Sequence, residues 1–463
     1  MNMRTNLLSF IFLFGTLFST HAQEGKGYNI AVKIKGFDQG ELFLGYPFGE
    51  KKYLQDTTTA NKEGVYVFEG EKALTGGIYF IYAPDKVYFE IIVANQNFSI
   101  TTDTADFVSN MEVNGSPENE LFRDFRAFMN EKQIVARDIN QKIESVPEEE
   151  QKALQEKIIS ISEEIEAYKE RVVEEHPESL VAQIIKSSMD IRLPDDVAAG
   201  SQDERYQYYK AHYFDHLDLN DPRMLRTPFF HQKVMDYLDK LTVPHPDSIA
   251  KSAQEIIDRA SANEETYRYW VVTLTNRYET SNLMGMDAVF VKLVDRYYLN
   301  GKAKWADEEL IDKLRTRVEE LKPNLIGKQA PPLPLNDISG NPRPLYKINS
   351  EYTVVYFYDP DCGHCKKKTP ELQKAYENEL KPNGIEVYAV NISTEEDKWN
   401  KFVNEHGLTF INVVDARGYR GYYDVKSTPK MYLLDRDKKI VAKQLDVAQV
   451  KDFVERHRKN VNE

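Results

Sequence analysis

The sequence predicts a multidomain protein: an N-terminal antiparallel β domain, a central all-α region with a helical hairpin, and a C-terminal α/β domain. Three observations predict this. Apolar and polar residues alternate from residue 28 to about 113, then recur at helical spacing from 117 to about 323. Beyond a proline-rich stretch, short runs of β-branched and aromatic residues return, separated by a helical segment. The chain's 463 residues also exceed the roughly 250 to 300 at which one hydrophobic core stops growing.

Composition agrees with a folded chain. Hydrophobic residues make up 41% and charged residues 29%, and 28 Tyr and 23 Phe supply large apolar faces that a disordered chain lacks. The net charge of -14 would repel nucleic acid and anionic lipid headgroups on average, so no nucleic-acid partner is implied.

The first element is a targeting segment. After Arg4 an apolar run covers residues 7–18, broken by Ser9, Gly15 and Thr16, and small or polar residues follow to Ala22. That order reads as a cleaved signal peptide, residues 1–22. The run is shorter than the roughly 18 apolar residues a bilayer span needs. No Cys follows it to carry a lipid, and no later segment is long and apolar enough to span, so the mature chain is expected to have no transmembrane segment.

Residues 23–116 form the β-rich domain. Asn29-Ile30-Ala31-Val32-Lys33-Ile34 and Gly64-Val65-Tyr66-Val67-Phe68 alternate in the period of a half-buried strand, with glycine-containing breaks between such runs. Residues 117–324 form the helical domain. There Leu154, Ile158, Ile161, Ile165, Tyr168 and Val172 alternate spacings of four and three, a heptad seam. An earlier stretch with Leu121, Phe125, Phe128, Val135 and Ile139 is separated from it by Ser145-Val146-Pro147, a breaker and helix start. The pair predicts an antiparallel helical hairpin. Packing on its own chain is the favoured use, and a dimer joined through the hairpin is the other.

Residues 325–463 form the last domain. The run Thr353-Val354-Val355-Tyr356-Phe357-Tyr358 predicts a strand that ends at Asp359-Pro360-Asp361, just before the only two cysteines, in Cys362-Gly363-His364-Cys365. A helix begins within this tetrad. A thiolate at a helix N-terminus faces unpaired N–H groups and the positive end of the helix dipole, so Cys362 should ionise more easily than a free thiol. Protonated His364 would help, and Asp361 would oppose. Cys365 lies one turn further in, where it can resolve a mixed disulfide formed at Cys362.

At these residues the chain resembles the thioredoxin superfamily. The Cys-Gly-His-Cys tetrad is that of protein disulfide isomerases, and Pro370 matches the proline that kinks the thioredoxin redox helix. Ser427-Thr428-Pro429 before Met431-Tyr432-Leu433-Leu434 resembles the family's cis-proline loop, which implies a cis bond at Pro429 and substrate binding at Thr428 and Pro429. A helix-like insertion at 395–406 and a strand-like one at 410–414 resemble the TlpA/ResA group of exported redoxins. That resemblance covers about 326–459, and the β and helical regions before it look like the accessory domains of secreted redoxins of Gram-negative bacteria, which implies a periplasmic or cell-envelope protein of such a bacterium. Two departures stand out: Tyr356 replaces the buried Asp that many thioredoxins place six residues before the first Cys, and Asp361 replaces the usual Trp. Proton transfer to Cys365 then needs another route, for which Glu371 and Glu386 are candidates.

Other chemistries fit less well. A structural zinc needs four ligands, and no second Cys pair exists. A purely structural bridge closing so short a loop would add little stability. Peroxiredoxins resemble Thr-x-x-Cys at their attacking thiol, where this chain has Asp359. His212 and His216 stand one turn apart without a convincing third ligand, so neither a metal nor a cofactor is expected. The resemblance therefore implies an exported thiol–disulfide oxidoreductase, with Cys362, Cys365, His364 and Pro429 as its catalytic set. Its partners would be protein thiol or disulfide clients and an envelope redox partner. The alternative is an envelope binding or scaffold protein with an incidental redoxin domain.

Overall fold

The computed structural model of the protein describes residues 27–462. The expected signal peptide lies outside them. The described residues divide into two compact units, one formed by 27–192 together with 223–231, the other by 193–222 and 232–462. The predicted order of a sheet domain, a helical region and a C-terminal sheet-and-helix domain is present.

In the first unit, eight strands make two four-stranded sheets. They are β1 (Tyr28–Lys35), β2 (Glu41–Phe48), β3 (Lys51–Thr59), β4 (Val65–Gly70), β5 (Gly77–Ala83), β6 (Val87–Val93), β7 (Asn97–Asp103) and β8 (Glu112–Asn114). The sheet orders are β4-β1-β7-β8 and β3-β2-β5-β6. Strict alternation on β1 turns Tyr28, Ile30, Val32 and Ile34 inward, where they join Leu42, Leu44, Phe89 and Ile91 in one core. Pairings in both sheets are antiparallel except β1 with β7, which run parallel. Strand β3 is an almost wholly exposed edge, and Lys51 and Lys52 on it discourage pairing with a further strand.

The helical hairpin follows as α1 (Pro117–Ile143) and α2 (Glu148–Glu175), with α3 (Leu180–Ser187) after it. Ser116 caps α1, and Pro117 sits in its first turn, where a missing N–H does no harm. Asn119 is buried and clamps β6, accepting from the Ile92 N–H at 2.8 Å and donating to the Ile92 carbonyl at 2.7 Å. Glu118 meets the N-terminus of α3, accepting from Leu180 and Val181 N–H groups, each at 3.0 Å. The heptad seam packs within the chain, with the Phe128 and Tyr168 rings stacked at 4.1 Å and Lys132 paired to Glu164 at 2.5 Å.

The helices that follow are α4 (Asp195–Ala198), α5 (Gln202–His212), α6 (Phe230–Lys240), α7 (Pro246–Arg259), α8 (Glu264–Glu279), α9 (Asp287–Leu293) and α10 (Glu308–Leu321). Amphipathic faces place Ile256, Ile257, Trp270, Leu274, Phe290 and Val318 in the interior. Beyond them come β9 (Asn336–Asp337), β10 (Tyr352–Tyr358), α11 (Gly363–Ala375), β11 (Ile385–Asn391), α12 (Glu396–Glu405), β12 (Ile411–Val414), β13 (Lys430–Leu434), β14 (Ile440–Lys443) and α13 (Val450–Asn462). Their sheet has the order β14-β13-β10-β11-β12-β9, with β10, β11 and β12 parallel and the other pairings antiparallel. Strand β10 is buried at every position, as a central strand covered on both faces must be. Val354, Tyr356 and Tyr358 pack with Cys365 and Leu372 of α11, while Val355 and Phe357 enter the core on the opposite face.

Candidate active site

The turn from β10 into α11 sets the position of the first sulfur. The Asp359 carboxylate accepts from the Asp361 N–H at 2.8 Å, and the Asp359 carbonyl accepts from the Cys362 N–H at 3.0 Å. This turn leaves Cys362 extended at the N-cap of α11, where its sulfur accepts from the Cys365 N–H at 3.4 Å. The sulfur thus occupies the place that a Ser or Asp oxygen takes at most helix starts. Cys362 is partly exposed and Cys365 fully buried, and the two are unbridged thiols.

The Thr428–Pro429 peptide is cis, and its loop lies against the first sulfur, because the Cys362 thiol donates to the Thr428 carbonyl at 3.2 Å. Strand β13 begins at the next residue and pairs with β10, Lys430 opposite Phe357. The topology therefore brings together two segments far apart in sequence. Beside them is a groove of about 380 Å³ whose lining includes Tyr356, Ser427, Pro429, Met431, Gln444 and Asp446.

The two thiols have opposite acidities. Burial resists ionisation of Cys362, but hydrogen bonds from Cys365, from the Thr428 side chain and from the N–H groups of Cys365 and His364 outweigh it, so its pKa falls below the ordinary thiol value. Burial dominates at Cys365 and pushes its thiol up to about 12. His364 itself is exposed in the first turn of the helix, and it is its backbone N–H, beside that of Cys365, that favours the Cys362 thiolate.

The departures from the thioredoxin pattern have structural partners. Asp361 was expected to oppose ionisation of Cys362, but Lys398 of α12 donates to its carboxylate at 2.8 Å, offsets its charge and holds it below the usual carboxylate range. Tyr356 is buried, and its hydroxyl meets Thr369 Oγ1 at 3.1 Å. Thr369 lies one helical turn beyond Cys365, so an i, i+4 reading of α11 could have found it. Burial raises the Tyr356 phenol far above its ordinary value, with the two cysteines adding to the effect. Of the carboxylates considered for proton handling, Glu386 accepts from the Tyr376 hydroxyl at 2.7 Å and Glu371 pairs with Lys368 at 3.1 Å. Lys398 carried no signal of its own, since only the fold brings α12 to the redox turn.

Away from this site, His212 is hydrogen-bonded to Asp215 at 2.6 Å. Among the described residues no group of three or more His, Cys, Asp or Glu side chains is arranged to hold a metal ion. No helix among them is long and apolar enough to cross a membrane.

Comparison with known proteins matches three segments of the chain. Residues 326–443 match the AhpC/TSA family. Residues 28–122 and 148–324 match two families described as domains of unknown function, DUF4369 and DUF5106. The chain is 29% identical over 138 residues to the thiol-disulfide oxidoreductase ResA of Bacillus thuringiensis, covering 29% of this chain and 78% of that protein. A solved domain of a possible thiol-disulfide isomerase from Cytophaga hutchinsonii is 34% identical, with 30% of this chain covering 98% of it at a TM-score of 0.29. A thioredoxin-like protein from Bacteroides caccae is 20% identical, with 58% of this chain covering 98% of it at a TM-score of 0.48.

The C-terminal domain is therefore a thioredoxin-like thiol–disulfide oxidoreductase domain. Within that class it matches the AhpC/TSA family and is TlpA/ResA-like, and it follows a sheet domain and a helical region in the chain.

Proposed function

We propose that the protein is exported to the periplasm or cell envelope of a Gram-negative bacterium and exchanges disulfides with protein clients through Cys362 and Cys365. The observation that carries this reading is the arrangement of the sulfurs. Cys362 is accessible, acidified and 3.2 Å from the Thr428 carbonyl, and Cys365 waits one turn behind it, buried and protonated. In reduction, the Cys362 thiolate attacks one sulfur of a client disulfide, the client S–S bond breaks, and the departing client thiolate takes up a proton. Cys365 then loses its proton and attacks the Cys362 sulfur of the mixed disulfide. The second client sulfur leaves as a thiol, and Cys362 and Cys365 are joined, two electrons having passed to the client. Oxidation of a client dithiol runs the same steps in reverse.

In this reading His364 tunes the potential of the pair, and Thr428 and Pro429 align the client backbone beside the sulfur. The domain limits proposed are 23–116 and 117–324 for the accessory regions and 325–463 for the redox domain. An envelope redox partner returns the pair to its working state. Dithiothreitol-driven reduction of insulin tests the activity, which Cys362→Ser should abolish. Full activity in that variant would remove Cys362 from the mechanism, whereas a client trapped as a mixed disulfide on Cys365→Ser would support it.

A further inference from the structure

The loop that carries Pro429 is anchored from outside the redox domain. Arg317 of α10 lies in the helical region, within the segment that matches DUF5106. Its guanidinium grips Asp424 with two bonds, Nη1 to Oδ1 at 2.7 Å and Nη2 to Oδ2 at 3.2 Å. Such a fork fixes direction as well as distance, which a lysine would not. Asp424 is 9% exposed and closes a short helical turn at φ 48, a left-handed backbone that non-glycine residues seldom adopt. It in turn holds Lys430, whose ammonium donates to the Asp424 carbonyl at 2.6 Å and lies 3.4 Å from its carboxylate. Lys430 is bonded in sequence to Pro429, and Thr428 before it accepts from the Cys362 thiol.

Direct contacts thus run from α10 through Asp424 and Lys430 to the cis-proline loop and the sulfur. The outer end of the chain of contacts is also braced, since Glu320 of α10 accepts from Arg317 at 2.9 Å and from Lys426 at 2.8 Å. Burial makes the inner part rigid. Ion pairs shielded from water are screened little by salt, and each partner is left buried and unpaired if the other is removed.

We propose that Arg317 and Asp424 are positioning residues for client binding: they hold the 424–430 segment in the shape that presents Thr428 and Pro429 to a polypeptide disulfide. This rests on the thiol–disulfide reading above and gives the helical region a definite part in it. A polypeptide client must pair with the loop as well as meet the sulfur, whereas a small disulfide needs only the sulfur. Loosening the anchor should therefore penalise the two substrates unequally. A displacement of about an ångström in a positioning element is enough to lower turnover up to about a hundredfold.

The test compares the full-length protein with Arg317→Ala and Asp424→Asn, on insulin and on dithionitrobenzoate, a small aromatic disulfide. The expected result is a fall of roughly ten- to hundredfold in kcat/KM for insulin, carried by KM, with the small-disulfide rate within about twofold of wild type. Because both changes break one chain of contacts, the double variant should be no worse than the weaker single. Should Arg317→Ala fail to fold, Arg317→Lys, which keeps the charge and loses the fork, makes the same comparison. Equal losses on both substrates would reduce Arg317 to a stabilising residue, and unchanged insulin reduction would overturn the proposal. If instead wild type itself fails on insulin, the thiol–disulfide reading is what fails.

Discussion

The difference in acidity between Cys362 and Cys365 predicts which thiol reacts and by how much. Cys362 lies below the ordinary value of 9.0 and Cys365 at about 12, so the gap exceeds 12 − 9.0, or 3 pH units. Below pH 9, each unit is a factor of ten in relative thiolate, so Cys362 holds at least about a thousandfold advantage. The more acidic thiolate is the weaker nucleophile, with a Brønsted coefficient of about 0.4–0.5, which returns up to half of that advantage on a logarithmic scale. At least about a thirtyfold preference for Cys362 survives from acidity alone. The complete burial of Cys365 adds to it.

The assay is timed alkylation of the reduced protein with iodoacetamide, followed by peptide mass spectrometry that separates the label on the two cysteines. Label should appear on Cys362 first at every pH from 6 to 9, a range spanning roughly the ordinary thiol titration. The Cys362 rate should level off at a midpoint below 9.0. Equal labelling of the two residues, or a Cys362 midpoint above that value, would refute the claim that the helix start and its hydrogen bonds outweigh burial.

Three further outcomes follow from the packing around the site. Leu372, fully buried beneath α11, should cost about 2–5 kcal/mol when replaced by Ala, read by urea unfolding; a loss under about 1 kcal/mol would mean that the helix is not anchored there. Burial works against the Asp424 charge, but Arg317, Lys430 and Lys426 prevail and hold its carboxyl below 3.8, so the stability it confers is complete above that pH and is lost as pH falls through the lowered folded value. Asp424→Asn should accordingly flatten the acid limb of the stability profile, and an unchanged limb would count against this coupling. Lys398→Ala should expose Cys362 to the uncompensated Asp361 carboxylate and raise its alkylation midpoint, with Asp361→Asn in the same chain restoring it. No movement in either variant would show that Asp361 does not act on the sulfur.

What could be read from the sequence was whatever depends on residues close together along the chain. The alternation on β1, the heptad seam of α2 and the strand–turn–helix around Cys362 each follow from local periodicity or a local turn. Even there the pattern overstated burial, because the α2 seam is mostly half-buried and Val172 alone reaches the interior. The cis-proline loop was reached through family resemblance, since nothing in local composition requires the minority isomer. Partner choice across long separations left no trace. The parallel pairing of β1 with β7, the Lys398–Asp361 bond and the Arg317–Asp424 fork each join residues that the topology brings together and no periodicity predicts.

The exchange of a buried Asp for Tyr356 bears on how this site tolerates such different thiols side by side. A carboxylate in that position would be a buried negative charge beneath both sulfurs, and like charges disfavour further ionisation, so it would raise the pKa of Cys362 as well as of Cys365. Tyr356 is held far above its ordinary value by burial and stays neutral over the range in which Cys362 titrates. The acidity of Cys362 is then set by hydrogen bonds from the Cys365 thiol, from Thr428 and from the N–H groups of the helix start, with no opposing charge from Tyr356. Cys365 receives part of the same help, from the Asp359 backbone and the Thr428 side chain, but burial outweighs it. In the proposed mechanism its proton leaves when a mixed disulfide at Cys362 offers both an electrophilic sulfur and a client thiolate able to accept that proton. On that mechanism the buried thiol stays protonated until a client is attached, and the difference between the sulfurs comes from burial of Cys365 set against the hydrogen bonds at Cys362, with no dedicated acid needed.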